Sequence, residues 1–225
     1  MEFTASIPAT WTSCSHCANG GAADKSGHAG MPLWCPRMQM VVGHIMKVDP
    51  HSDEFLDVGG PIFDLGFEIP LILRVQHPSA HERFEAAVAE DDMLPWDCEQ
   101  KQTLYHVTRA RSVTNVSNLI RNGLDVRFSR CGSFGRGIYF ASDPAKAHQY
   151  RNPEHPQHLM LQARVRLGAV KTFPDGEYDT SLVREPDGYD SSKGNVTGHD
   201  EYTVYDNQRV LIEYMIFYSD AKTLL

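Results

Sequence analysis

Three residues in this chain of 225 stand where their side chains can do chemistry. His106 sits inside the strand-like run Leu104-Tyr105-His106-Val107-Thr108, where an imidazole can give or take a hydrogen bond near neutral pH. Tyr139 follows Cys131-Gly132-Ser133-Phe134-Gly135-Arg136-Gly137, whose glycines permit either a tight turn or a close approach of the backbone to a ligand. Glu201 opens an otherwise apolar strand, and a carboxylate fixed there can accept a substrate hydroxyl or favour a developing positive charge. Each also has an ordinary reading, as a packed or edge histidine, a core aromatic and a strand-end surface carboxylate. None of the three alone names a reaction.

A different chemistry is open to the N-terminal segment, residues 1–52. Cys14 and Cys17 form a C-x2-C pair, and His28 and Cys35 complete four ligands suited to tetrahedral zinc. The spacing is not that of a zinc knuckle or ribbon. The competing reading is a Gly-rich loop with incidental cysteines, since residues 18–31 (ANGGAADKSGHAGM) show little periodicity.

Charge is uneven along the chain. Residues 101–171 carry twelve Lys and Arg against three acids, although the whole chain has a net charge of −8. This block is either a solvated basic face or the lining of a cleft for a phosphate-bearing ligand. The overall acidity argues against nucleic acid as the default partner, because backbone binding depends on neutralising many phosphates. The opening Met1-Glu2-Phe3 lacks the basic start and apolar core of a secretory signal. The longest apolar stretch, Pro61 to Leu73, contains Asp64 and Glu68 and is too short to cross a bilayer. Together these features predict a soluble intracellular protein, cytoplasmic or nuclear, with no membrane partner. Five cysteines, an odd number with three of them near the N-terminus, do not read as a disulfide framework.

The elements that would position the three residues are short and mostly strands. The pattern predicts a strand from Phe67, a helix opened by Pro78-Ser79 and an acidic turn at Glu90-Asp91-Asp92. It continues with a strand over Thr103 to Thr108 and a helix over Thr114 to Asn122 stopped by Gly123. Ile138 to Ala141 reads as a strand, Asp143-Pro144 as the cap and first residue of a short helix, and Leu159 to Leu167 as a further strand. A long polar loop is expected from Pro174 to His199, then strands at Glu201 to Tyr205 and Val210 to Tyr218. That order implies an α+β fold.

Four motifs taken in sequence resemble one family. Leu104 to Thr108 is similar to the histidine strand of the poly(ADP-ribose) polymerase catalytic domain, and Gly135-Arg136-Gly137-Ile138-Tyr139-Phe140-Ala141 to its G-x-G-[IV]-Y-F-A segment. Glu201-Tyr202-Thr203-Val204-Tyr205, with Glu213-Tyr214-Met215-Ile216, resembles the two closing strands; Arg74-Val75-Gln76-His77-Pro78 resembles the entry to the first helix. The likeness runs from about Phe67 to Tyr218, and the wording of Gly123 to Tyr150 is nearest to the tankyrase and macrodomain-containing mono-transferase branches. The fold it implies is a split antiparallel sheet with short peripheral helices, occupying residues 53–225.

The resemblance also implies roles. NAD would be the substrate that gives up ADP-ribose, with a protein or nucleic-acid acceptor, the chain itself included, and release of nicotinamide through a His106, Tyr139, Glu201 triad. His106 would bond the adenosine ribose; Tyr139 and Tyr150 would sandwich the nicotinamide ring. Glu201 would accept a hydrogen bond from the nicotinamide-ribose 2′-hydroxyl. Val107 and Thr108 would lie along the same binding strand, and Arg127, Arg130 and Arg136 are the candidates to offset the pyrophosphate charge. Two positions depart from the pattern. Val107 stands where the family has glycine and Ala147 where it has serine, both beside the nicotinamide carboxamide, so weaker NAD binding is expected. No segment reads as the helical autoinhibitory domain of DNA-responsive members, which predicts activity independent of broken DNA. The alternatives are a non-catalytic binding module for protein or RNA, and an NAD glycohydrolase with water as acceptor.

Overall fold

The structure, a computed structural model, describes residues 45–91, 99–109 and 113–220. In chain order the strands are β1 (Ile45–Lys47), β2 (Phe67–Val75), β3 (Glu99–Thr108), β4 (Cys131–Gly132), β5 (Gly135–Arg136) and β6 (Ile138–Ala141). They continue with β7 (Gln157–Gly168), β8 (Val170–Phe173), β9 (Ser191–Val196), β10 (His199–Val204) and β11 (Val210–Asp220). The helices are α1 (Asp53–Phe63), α2 (Pro78–Asp91), α3 (Val113–Asn122) and α4 (Pro144–His148). Nine strands form one sheet in the order β1-β2-β11-β7-β3-β6-β10-β9-β8; β4 and β5 form a separate hairpin. Among the described residues all pairings are antiparallel except β8 with β9. The fold is the α+β class that the pattern implied.

The split in the sheet has a definite place. β3 pairs with β7 from Glu99 to Thr108, but with β6 only at Tyr105↔Ala141. Beyond Tyr105, β3 therefore has a strand on one side only, and His106, Val107 and Thr108 border the gap.

Both sheet faces are covered, which explains why the central strands read as continuous apolar runs instead of alternating ones. Tyr105, Val107, Ala141, Met160, Ile216 and Tyr218 pack on one face with Phe55, Val58 and Ile62 of α1 and Ala147 of α4. Their sequence neighbours Leu104, Phe140, Leu161, Met215 and Phe217 pack on the other with Val116 and Ile120 of α3. The period-2 pleat sends adjacent residues to opposite cores.

Several expectations on elements need correction. α2 continues through Asp91, so Glu90 and Asp91 are helical where a turn was expected. The helix α1 has no counterpart in the expected elements because Gly59-Gly60-Pro61 breaks its pattern. It starts on Ser52, whose hydroxyl accepts from the Phe55 N–H at 3.2 Å. The sheet itself begins upstream of residue 53, since β1 pairs with β2. Within the expected loop from Pro174 to His199 lies β9, Ser-Ser-Lys-Gly-Asn-Val, which carries almost no apolar signal. Its polar groups are satisfied internally: Ser191 Oγ donates to the Leu167 carbonyl at 2.7 Å, and Ser192 Oγ lies 2.8 Å from the Tyr205 hydroxyl. Both serines are fully buried.

β9 also explains why its centre is glycine. A Cβ on Gly194 would stand 2.3 Å from Cζ of Phe134, a residue with no exposed surface. Gly194→Ala is expected to destabilise the fold by about 1–3 kcal/mol through overpacking. A thermal melt followed by circular dichroism should show a midpoint lower by roughly 2–4 °C per kcal/mol.

Candidate active site

Glu201 is the third residue of β10, opposite Ala141 of β6 and Gly194 of β9, and is 2% exposed. A carboxylate that deep needs a partner, because an unpaired buried charge costs several kcal/mol. The partner is Lys146 of α4, equally buried, with Nζ 2.9 Å from Glu201 Oε1. The ammonium has three N–H groups, and each has an acceptor: Glu201, Thr197 Oγ1 at 3.0 Å and Gln149 Oε1 at 3.4 Å. The Tyr150 hydroxyl donates to the same Oε1. Lys146 also lies 5.5 Å from the centre of the Tyr150 ring.

One short helix therefore delivers two groups to one carboxylate. α4 begins as Asp143-Pro144 predicts, with Asp143 Oδ1 accepting the Ala145 N–H at 2.8 Å and proline at the first helical position. The sequence reading missed Lys146. Its signal was its place, one residue before Ala147 and four before Tyr150, but a lysine inside a basic block is ordinarily surface.

Tyr139 is fixed through the glycine-rich loop. Its hydroxyl accepts from the Phe134 N–H at 2.8 Å and donates to the Gly135 carbonyl at 2.7 Å, so the side chain pins the loop that precedes it. The Phe134 ring stacks on that of Tyr139 with centroids 6.5 Å apart, and the Phe134 carbonyl accepts from the Tyr205 hydroxyl at 2.7 Å. Gly135 has φ +74°, and a Cβ there would stand 2.1 Å from the Leu182 carbonyl oxygen, so only glycine fits. Burial raises the phenol pKa of Tyr139 and Tyr150, the latter also through Glu201, and pushes Tyr205 up to about 12. All three stay protonated near neutrality.

His106 reaches across the gap between β3 and β6. Its Nδ1 lies 2.7 Å from the Tyr139 carbonyl oxygen. A carbonyl only accepts, so Nδ1 carries the proton and Nε2 of the neutral ring is left as an acceptor. Burial lowers the His106 pKa, partly opposed by that carbonyl, and keeps the ring neutral.

The register brings Tyr139 and Glu201 to one face, since Tyr139 pairs with Thr203 and Glu201 with Ala141. His106 joins them through the Tyr139 backbone, and Tyr150 through its bond to Glu201. Tyr150 thus differs from the expected ring platform in one respect: the residue is 46% exposed, but its hydroxyl is committed to the carboxylate. Val107 and Ala147 fall in the same buried apolar cluster, and Thr108 is half-buried at the end of β3. The arginines do not converge. Arg130 and Arg136 are exposed, and Arg127 is exposed and bonded to its near neighbour Asp125 at 2.6 Å. Cys14, Cys17, His28 and Cys35 lie outside the described residues. Among the described residues no three His, Cys, Asp or Glu side chains are grouped to hold a metal, and no helix is long and apolar enough to cross a membrane.

Comparison with known proteins gives this arrangement a family. The poly(ADP-ribose) polymerase catalytic domain matches residues 61–200, a span that contains His106, Tyr139, Lys146 and Tyr150 and ends one residue before Glu201. The mouse protein mono-ADP-ribosyltransferase PARP12 is 33% identical over 132 residues, 54% of this chain and 17% of its own length. Poly(ADP-ribose) polymerase 2 of Caenorhabditis elegans is 36% identical over 88 residues, 38% of this chain and 16% of the relative. A probable poly(ADP-ribose) polymerase of Dictyostelium discoideum is 26% identical over 188 residues, 75% of this chain and 54% of the relative. The chain spans only about a sixth of the mouse and nematode relatives it matches. Because the family match covers more than half of the chain, including the loop and helix that build the site, the chain belongs to the poly(ADP-ribose) polymerase catalytic domain family.

Proposed function

We propose that this chain transfers ADP-ribose from NAD to a protein acceptor, the chain itself included, and releases nicotinamide. The observation that carries this reading is Glu201: a buried carboxylate held by Lys146 and Tyr150 beside the open edge of β3 that bears His106. Family membership makes ADP-ribosyl transfer the chemistry to test, and the side chains supply a route for it.

Lys146 and Tyr150 both approach Oε1 of Glu201, which leaves Oε2 as the oxygen to receive the 2′-hydroxyl of the nicotinamide ribose. Such a charge-assisted bond contributes about 1.5–3 kcal/mol. The acceptor nitrogen of His106 would take a hydroxyl of the adenosine ribose. The exposed ring of Tyr150 and the pinned ring of Tyr139 would hold the nicotinamide. When the bond from ribose C1′ to the nicotinamide nitrogen breaks, the electron pair leaves with nicotinamide and positive charge develops on the ribose. A fixed carboxylate nearby favours that charge. The acceptor nucleophile then bonds C1′ and gives up its proton.

Val107 and Ala147 favour a second reading, in which the donor pocket binds NAD weakly or not at all and the domain serves as a binding module. Both side chains are buried in one apolar cluster, so the carboxamide end would lose a hydroxyl donor and gain a stiff branched side chain.

Three measurements test these proposals. Glu201→Gln is expected to lower transfer by about 10²–10³-fold, read as loss of ADP-ribose mass adducts and of free nicotinamide. Nicotinamide release without adducts from the unaltered protein would point to a glycohydrolase. The pair Val107→Gly and Ala147→Ser is expected to tighten NAD binding about 2–10-fold, one hydrogen bond's contribution, in a calorimetric titration. No tightening would show that the apolar pair does not limit the pocket. The third concerns pH. His106 binds as the neutral ring and its pKa is lowered, so NAD affinity should stay level from pH 8 down through the ordinary histidine range. It should fall only below that range, as Nε2 gains a proton and turns from acceptor to donor. A fall centred at the ordinary histidine value in the same titration would contradict the buried neutral assignment.

A further inference from the structure

The tip of the β9–β10 hairpin carries a conformation that its sequence does not favour. Val196 pairs with His199, and the two residues between them, Thr197 and Gly198, have φ of +57° and +83°. Two positive φ values make this a type I′ turn, whose first position ordinarily takes asparagine, aspartate or glycine. Thr197 is β-branched, and among the described residues it is the only non-glycine with positive φ. A branched side chain in the left-handed region is strained and persists only where surrounding contacts hold it.

Those contacts run to the candidate active site. Thr197 Oγ1 donates its proton to the Val196 carbonyl at 2.6 Å, which leaves its oxygen as an acceptor. Lys146 Nζ donates to that oxygen at 3.0 Å. Two residues on, His199 Nδ1 lies 3.1 Å from Asp143 Oδ2, the carboxylate whose other oxygen caps α4. The hairpin tip thus grips α4 at its cap and at its lysine, and the lysine is the group that holds Glu201.

We infer that Thr197 is a positioning residue: its hydroxyl, presented by a strained turn, seats the Lys146 ammonium so that Glu201 is held in the orientation the transfer needs. Thr197 itself touches no substrate. The turn keeps threonine because the hydroxyl must face α4, and the hairpin bears the local strain. The inference rests on Glu201 being the carboxylate that acts on NAD, but the Lys146 contact can be tested without that premise.

Thr197→Val keeps the shape and the branching and removes only the hydroxyl; Thr197→Ser keeps the hydroxyl. Thr197→Gly removes the hydroxyl and relieves the backbone. Two readouts are made on each in the full chain: the rate at which an amine-reactive ester labels Lys146, by peptide mass spectrometry, and kcat and KM for nicotinamide release from NAD. Lys146 should be protected in the parent and in Thr197→Ser, and labelled about tenfold faster in Thr197→Val and Thr197→Gly as the local contact opens. The same two variants should lose about three- to tenfold in kcat, one hydrogen bond's contribution, with KM for NAD changed by less than about twofold. Thr197→Gly should do so while melting no lower than the parent, which a merely structural role would not produce. Unchanged labelling in both variants would overturn the inference, and so would faster labelling with an unchanged kcat. If the parent protein releases no nicotinamide, the proposed function fails, and the labelling alone decides whether Thr197 seats Lys146.

Discussion

The buried ion pair of Lys146 and Glu201 is the constraint around which the site is arranged. Both side chains are almost wholly withdrawn from water, so each is the other's partner in place of solvent, and the two come from distant parts of the chain. Meeting at 2.9 Å requires that β10 present Glu201 at one row of the sheet and that α4 lie across that row with its lysine inward. An ion pair so deep adds little net stability, because desolvation offsets most of the attraction. What it supplies is position. The carboxylate keeps one oxygen occupied by Lys146 and Tyr150, and its orientation is set before any ligand arrives.

The remaining parts serve that placement. The glycine-rich loop is tied down by Tyr139 and by Phe134, whose ring fills the space that Gly194 leaves and whose carbonyl takes the Tyr205 hydroxyl. β9 lies under this loop and pairs with β10, so the strand that carries Glu201 and the loop that precedes Tyr139 rest on the same polar strand. The gap between β3 and β6 leaves His106 free to reach the Tyr139 carbonyl, which sets the proton on Nδ1. Fixed tautomer, pinned loop and oriented carboxylate form a site organised by its own internal hydrogen bonds, the condition under which electrostatic stabilisation is effective.

Val107 and Ala147 join the strand that bears His106 to the helix that bears Lys146. On β3 and α4 respectively, they join the same apolar cluster beneath the sheet. The helix bearing Lys146 is anchored there by hydrophobic contact.

Read alone, the sequence determined the α+β class, most central strands, the cap of α4 and the stop at Gly123, and it singled out His106, Tyr139 and Glu201 as candidates. These are local matters: apolar runs of strand length, capping residues, a glycine-rich turn and a carboxylate beside an apolar run each leave a mark within a few residues. Helix α1 and strand β9 were not legible, the first because Gly59-Gly60-Pro61 disguises it and the second because its serines are buried by hydrogen bonds instead of by apolar burial. Lys146 and Thr197 were not legible either. A lysine becomes a buried partner, and a turn threonine an acceptor for it, only when α4 and the β9–β10 hairpin are brought together from about fifty residues apart. That meeting depends on sheet order and register, which no local pattern encodes, and so only the tertiary structure decided which basic residue holds the carboxylate.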